Sequence, residues 1–279
     1  MNARLAETKS LSPLVVAAAQ AESVAGDIAA NARTAAAYVR AAADNGARLL
    51  VLPELFLSGY DMRTIGERPD DCDLPAEALD DVRLESLRSA AAESGVLTLV
   101  GASVRRGGSR TISLLAIDDR IRVVYDKQHI CGDETDHFAA GDSRSMLTVD
   151  GWPLGLAVCY DGCFPEHARA AADAGALVYV ASAAYVKGSE HRRDLYYRAR
   201  AVENGMFVVV SGLTGHCGDG EYGGGTAIID PEGRAIERVS EREVGLAVAA
   251  LDVAVLEQTR AAHSMYADHR DSLGPLVRY

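Results

Sequence analysis

The stretch from Leu154 to Ala172 limits most tightly what this chain can fold into. Leu154 to Val158 is a short apolar run with the pattern of a buried strand, and it ends at Cys159. Asp161-Gly162 follows as a turn signal. Phe164-Pro165-Glu166-His167-Ala168-Arg169-Ala170-Ala171-Ala172 then reads as a helix, with proline near its first turn and an acid just after. A strand, a tight turn and a helix in succession is a unit of an α/β sheet, and ligands bind open α/β sheets at the carboxyl ends of strands. Cys159 holds that position. A helix N-terminus close behind it favours thiolate over thiol and makes Cys159 a better nucleophile. The competing reading is a small buried hydrophobe, the commonest fate of a free cysteine.

Elements of the same kind recur along the chain. Leu14 to Gln20, Arg48 to Leu52, Leu177 to Ala181, Met206 to Ser211 and Val244 to Ala250 read as strands. Arg48 to Leu52 lacks alternation and is expected to be buried on both faces. Asp27 caps a helix with apolar positions at Ile28, Ala32, Ala35, Ala36, Val39 and Ala43, and Asn45-Gly46 ends it. Ala76 to Glu93 and Ser189 to Asn204 fit further helices, and Val253 to Ala262 a short one. Val96 to Val104, Thr111 to Ile117 and Ile121 to Tyr125 are strands joined by turns, so an antiparallel arrangement is predicted. Thr226 to Ile229 and Ala235 to Val239 flank the turn Asp230-Pro231-Glu232-Gly233 as a hairpin. Tyr60 to Pro75 reads as a polar surface loop, Asp126 to Ser145 as a long irregular loop, and Leu213 to Gly225 as a flexible glycine-rich loop. The expectation is one α/β or α+β domain over residues 1–279, with a mixed sheet or two sheets and a core over about 13–250. The tail beyond 250 is expected at an oligomer interface.

Bulk properties exclude some classes. A net charge of −12 argues against nucleic acid and anionic membranes as partners. No apolar run approaches the ~20 residues of a membrane span, and Met1 to Ser12 shows no secretion signal. Five cysteines, at 72, 131, 159, 163 and 217, form no framework spacing and suit a reduced, cytoplasmic setting. His129, His137 and His167 lie near Cys131, Cys159 and Cys163 in sequence, but no C-x-x-C pair is present and neither a metal nor another cofactor is expected.

Two polar residues occupy places equivalent to that of Cys159. Glu54 lies just past Arg48 to Leu52, and Lys127 just past Ile121 to Tyr125. A cysteine nucleophile needs a base for its proton and positive charge where an oxyanion develops. Glu54 can be that base, Lys127 that charge, and the Tyr160 backbone N–H a second oxyanion donor. The plainer readings are a cap or solvated turn for Glu54 and a surface strand-end lysine for Lys127.

Leu52-Pro53-Glu54-Leu55 with Gly59-Tyr60, Tyr125-Asp126-Lys127-Gln128-His129-Ile130, and Cys159-Tyr160-Asp161-Gly162-Cys163-Phe164-Pro165-Glu166 resemble the three signature segments of the nitrilase superfamily of carbon–nitrogen hydrolases, in its order and at about its spacings. Arg198 to Asn204 and the segment from Gly223-Gly224-Gly225 to Gly233 add to the likeness. The resemblance implies an α-β-β-α sandwich with two mixed sheets, four-layered in a dimer. It implies Cys159 as nucleophile, Glu54 as general base and Lys127 as stabiliser of the tetrahedral intermediate. It suggests a second glutamate, Glu134, with Asp133 as its neighbour and competitor. Tyr60, Tyr160, Ala184 and Tyr185 fall where the family tends to line its pocket.

The implied reaction is hydrolysis of a small linear amide or N-carbamoyl compound through a cysteine thioester. A small nitrile needs nearly the same groups. Ser189-Glu190-His191-Arg192-Arg193 either presents a guanidinium to a substrate carboxylate or is an exposed helix start with salt bridges. A silent binding protein on the same scaffold, or an acyltransferase, is the alternative of another class. The complete triad argues against the first, and the absence of the spans found in membrane-bound relatives argues against the second.

Overall fold

In Leu14–Gln20 (β1), Val16 and Ala18 lie on one face and Ala17 and Ala19 on the other, and both faces are buried. A strand apolar on both sides needs cover on both sides, and this requirement sets the layer order. The structure, a computed structural model, describes residues 11–241, 243–270 and 272–279. Residues 1–10, most of the segment read above for a secretion signal, lie outside the described residues.

After β1 come α1 (Ile28–Asp44), β2 (Leu49–Val51), α2 (Met62–Glu67), α3 (Pro69–Cys72), β3 (Asp73–Pro75) and α4 (Glu85–Ser94). Then follow β4 (Leu97–Arg106), β5 (Ser109–Ile117), β6 (Ile121–Asp126), β7 (Met146–Val149) and β8 (Trp152–Val158). The chain continues through α5 (Pro165–Asp173), β9 (Val178–Ala183), α6 (Glu190–Asn204), β10 (Phe207–Gly212), β11 (Thr214–Cys217) and β12 (Gly220–Gly223). It closes with β13 (Ala227–Ile229), β14 (Ala235–Arg238), β15 (Gly245–Leu251) and α7 (Val253–Ala262).

One sheet has the order β15-β1-β2-β4-β5-β6, with β3 also on β4; the other has the order β14-β13-β10-β9-β8-β7. Each is mixed. The pairs β1/β2, β2/β4, β8/β9 and β9/β10 are parallel, and β4/β5/β6 is the predicted antiparallel meander. Helices α1 and α4 pack apolar faces on the outside of the first sheet, including Ile28, Ala32, Ala35, Val39, Leu87 and Ala91. The two sheets pack against each other through Val16, Leu49, Val51, Leu99 and Leu114 on one side and Leu156, Val180 and Val209 on the other. Ala168, Ala172, Tyr197 and Ala201 of α5 and α6 join that cluster from the far side of the second sheet. The arrangement is an α-β-β-α sandwich.

Buried hydroxyls of the second sheet tie it to the first. Ser211 Oγ donates to the Ala19 carbonyl at 2.6 Å and Ser182 Oγ to the Leu52 carbonyl at 2.7 Å. The second bond matters for the site, because Glu54 follows Leu52 by two residues.

Three segments differ from the sequence expectation. Residues 60–75 hold α2, α3 and β3, because Ile65, Cys72 and Leu74 are buried among polar neighbours and Asp61 caps α2, accepting the Thr64 N–H at 3.1 Å. Each element is too short to show a period. The helix expected from Ala76 begins only at Glu85. Asp81 accepts the Arg83 N–H at 2.8 Å and caps a single tight turn there, leaving Val82 exposed. Residues 213–225 contain the hairpin β11/β12 rather than a flexible loop, with Leu213, Cys217 and Tyr222 buried. Glycines hid that hairpin from a propensity reading. The helix α7 buries Val253 and Leu256, and no helix among the described residues is long and apolar enough to cross a membrane.

Ser182→Ala leaves the buried Leu52 carbonyl without its donor. Urea unfolding is expected to show a loss of about 1–3 kcal/mol; an unchanged midpoint would mean that the bond contributes nothing.

Candidate active site

Glu54, Lys127 and Glu134 meet inside the protein, and none of the three side chains reaches solvent appreciably. Lys127 Nζ donates to Glu54 Oε1 at 2.7 Å and to Glu134 Oε1 and Oε2 at 2.6 and 2.7 Å. Glu134 is fixed from two further sides. The Cys131 N–H donates to Oε2 at 3.0 Å, and the Tyr60 hydroxyl donates a short hydrogen bond to Oε1. Asp133, its competitor in the sequence, is exposed.

The backbone brings these groups together under strain. Past β2 the chain runs beside β4, with Leu52 N–H on the Leu99 carbonyl at 2.8 Å and Leu57 N–H on the Gly101 carbonyl at 3.0 Å. Leu55 takes φ 47° to turn the Glu54 side chain inward. A Cβ on Gly101 would lie 2.4 Å from the Leu55 nitrogen, so only glycine permits this approach. Cys159 takes φ 42° at the end of β8. Such a conformation costs on the order of 1–3 kcal/mol at a non-glycine residue and persists only where neighbours hold it. The Tyr185 and Tyr197 hydroxyls donate to the Cys159 carbonyl at 3.4 and 3.3 Å. Arg200 grips the carbonyls of Gly162 and Cys163 at 3.0 and 2.9 Å.

The Cys159 thiol donates weakly to the Ala184 carbonyl at 3.9 Å. Burial first, and then the charge of Glu54, push it well above the ordinary thiol range. The helix N-terminus expected to favour a thiolate is displaced, since residues 159–163 form a tight turn and α5 starts only at Pro165. At rest Cys159 is therefore a thiol, and would need a base to act as a nucleophile. Burial pushes Glu54 up to about 7, against the opposing pull of Lys127. Its Oε2 makes no hydrogen bond of normal length, while the Cys159 thiol lies near enough to favour the charged carboxylate. Lys127 is held above its ordinary range. Burial works against its charge and is outweighed by Glu54, Cys159 and Glu134. A thiol, a base poised near neutrality and a permanent cation in one dry cluster can add sulfur to a carbonyl carbon and hold the resulting oxyanion.

A family model for carbon–nitrogen hydrolases matches residues 15–261. The chain belongs to the carbon–nitrogen hydrolase family. This hydrolase is 32% identical over 250 residues to an (R)-stereoselective amidase of Pseudomonas sp, covering 88% of this chain and 87% of the relative. It is 31% identical over 233 residues to 2-oxoglutaramate amidase of Bacillus subtilis (strain 168), covering 81% and 86%. Among solved structures it resembles a variant of the amidase from Nesterenkonia sp. AN1 showing covalent addition of the acetamide moiety of fluoroacetamide at the active site cysteine. That likeness has TM-score 0.80 at 27% identity over 94% of this chain and 95% of the other. The hydrolase is an amidase-like member of the nitrilase superfamily.

The residues expected to line its pocket divide. Tyr60 and Ala184 touch the cluster directly, through Glu134 and the Cys159 thiol, and Tyr185 braces the Cys159 backbone. Tyr160 is partly exposed and packs edge-on to Phe164 at 5.0 Å. Arg192 points outward onto the Tyr196 hydroxyl at 2.6 Å. Arg193 is buried but engaged on the Gly223 and Gly224 carbonyls at 3.2 and 3.0 Å, occupying the space a Gly225 side chain would need. Sequence reasoning missed the bracing role of Tyr197 and Arg200. The available signal was their spacing of three on one helix, with Arg200 inside the segment 198–204.

Replacing Lys127 by Met leaves two buried carboxyl groups facing each other without a cation. Burial already raises Glu54 against the pull of Lys127, so without the lysine the destabilisation is greatest where Glu54 is ionised and shrinks as pH falls. Denaturation at about pH 8 is expected to show a loss of roughly 3–5 kcal/mol, and a smaller one near pH 5. A loss independent of pH would contradict the pairing.

Proposed function

We propose that the protein hydrolyses the carbon–nitrogen bond of a small linear amide through a thioester on Cys159. The observation that carries this reading is the buried Lys127 bridging Glu54 and Glu134, with the Cys159 thiol beside Glu54. The thiol adds to the amide carbonyl as Glu54 takes its proton. Lys127 holds the oxyanion, and the Tyr160 backbone N–H is the second donor. Glu54 passes the proton to the nitrogen, the carbon–nitrogen bond breaks, and ammonia or an amine leaves. Water enters, Glu54 accepts its proton, and collapse of the second tetrahedral adduct releases the carboxylic acid and restores the thiol. Glu134 and the Tyr60 hydroxyl hold Lys127 in place throughout.

Neither Arg192 nor Arg193 is disposed toward the cluster, which favours uncharged short amides over N-carbamoyl amino acids and ω-amides of dicarboxylates. We extend the proposal to self-association. Leu273, Leu276, Val277 and Tyr279 of the tail are exposed, and a second copy of the chain would cover them. Light scattering on the full chain and on a chain ending at residue 270 tests this; equal masses would reject it.

The catalytic reading is tested by ammonia release from a panel of short amides, nitriles and N-carbamoyl amino acids, with intact masses recorded. Cys159→Ala abolishes release, and Glu54→Gln lowers it about 100-fold or more. Because the base must be ionised to act and Glu54 sits at about 7, kcat/KM rises with pH through that value. Unchanged turnover in Cys159→Ala ends the mechanism; turnover of nitriles or N-carbamoyl compounds alone ends the substrate assignment.

A further inference from the structure

Asp161, which the sequence offers as one half of a turn signal, is fully buried. Its carboxylate accepts four hydrogen bonds. Oδ2 receives the Val158 N–H at 3.0 Å and the Tyr125 hydroxyl at 2.7 Å. Oδ1 receives the His129 N–H at 3.0 Å and His129 Nδ1 at 2.7 Å. These partners are not scattered. Val158 immediately precedes the nucleophile. Tyr125 and His129 stand two residues before and two residues after Lys127. One carboxylate therefore holds the chain on both sides of the lysine and at the threshold of the cysteine.

The partners are themselves fixed. The Tyr125 hydroxyl has one proton and gives it to Asp161, so His167 Nε2, at 2.9 Å, must donate to Tyr125. Neutral His167 then accepts the Tyr179 hydroxyl proton at Nδ1, at 2.8 Å. Burial lowers the pKa of His167, in keeping with the neutral ring. His129 is stacked on Phe164 with ring centroids 3.9 Å apart. Asp161 is thus anchored to α5 through His167 and to β9 through Tyr179. Cys159 adopts a positive φ that its own residue type disfavours, and a rigid anchor of this kind can hold it.

We propose that Asp161 is a positioning residue for the reaction: by binding both flanks of Lys127 and the residue before Cys159, its carboxylate sets the distance between the nucleophile and the cation that receives the oxyanion. The inference rests on Cys159 being the nucleophile. Loss of iodoacetamide labelling and of turnover in Cys159→Ala tests that reading separately.

The test is Asp161→Asn, which keeps the shape and removes the charge and one acceptor. Cys159 is labelled with iodoacetamide and followed by intact mass, and turnover is measured on the panel amide that the unaltered protein hydrolyses fastest. The expected result is one equivalent of label, KM within about threefold, and kcat lower by about 30-fold or more, the scale of a misplaced catalytic group. The labelling rate, which in the unaltered protein rises with pH through the Glu54 value of about 7, moves to higher pH because a loosened Lys127 favours the charged Glu54 less. In the Lys127→Met background the same change costs little further, since Asp161 acts through the lysine. A merely structural role gives fewer labelled molecules at an unchanged rate per molecule, and losses that multiply with Lys127→Met; either result overturns the proposal, as does normal kcat. Should Asp161→Asn not fold, Tyr125→Phe removes a single hydroxyl from the carboxylate and is judged by the same measures, with a smaller loss of kcat expected and an unchanged kcat counting against the idea.

Discussion

A lysine ammonium buried away from bulk solvent is the constraint around which the site is built. Such an ion pays a desolvation penalty of several kcal/mol unless paired and hydrogen-bonded. Lys127 meets this with bonds to two carboxylates, Glu54 and Glu134. Two carboxylates against one ammonium leave an excess of negative charge in the same dry volume, and the strain falls unevenly. Glu134 gains the Tyr60 hydroxyl and the Cys131 N–H, whereas Glu54 keeps one oxygen without a full hydrogen bond. The less satisfied carboxylate is the one pushed up to about 7. Structural satisfaction and chemical readiness are divided between two residues of the same type.

The sandwich supplies the rigidity this arrangement needs. Glu54 and Lys127 come from the first sheet and Cys159 from the second, so the cluster depends on how two separately hydrogen-bonded layers seat on one another. Apolar packing between sheets is non-directional. The directional component comes from buried hydroxyl bonds between layers, such as Ser182 to Leu52, and from the Asp161 carboxylate, which spans from β8 to the chain around Lys127. Of the three non-glycine residues with positive φ among the described residues, Leu55, Asp150 and Cys159, two lie in or beside the cluster. Strain at those points is sustainable because Gly101 admits the Glu54 segment on one side and Tyr185, Tyr197 and Arg200 brace the turn after Cys159 on the other.

Strands buried on both faces, the α1 helix with its Asp27 cap, and the β4–β6 meander were legible because each carries its signal within a few residues: apolar content, a cap, a turn. Residues 60–75 and 213–225 were not, because their elements span three to six residues and are stabilised by partners far along the chain. Ile65 and Cys72 join the core between the sheets, and Leu74 lies on β3, which pairs with β4. The two adjacent arginines that follow Ser189 show the same dependence on distant partners. Nothing local distinguishes Arg192, lying on Tyr196 in solvent, from Arg193, buried in the concavity left by Gly225.

For the site, the order and types of Glu54, Lys127, Glu134 and Cys159 were written in the linear chain, and with them the class of chemistry, since an acid, a cation and a thiol at strand ends have few joint uses. Their ionisation states were not. A thiol near a helix start reads as acidic in isolation, yet burial beside Glu54 makes it a poor acid. Asp161-Gly162 reads as a turn, and that reading alone does not show that the acid is buried and holds four hydrogen bonds. Motifs are set by covalent order and short-range periodicity, which folding preserves. Charge state and hydrogen-bond partnership depend on the dielectric and on neighbours brought from 36 or 73 residues away, and those exist only in the packed molecule.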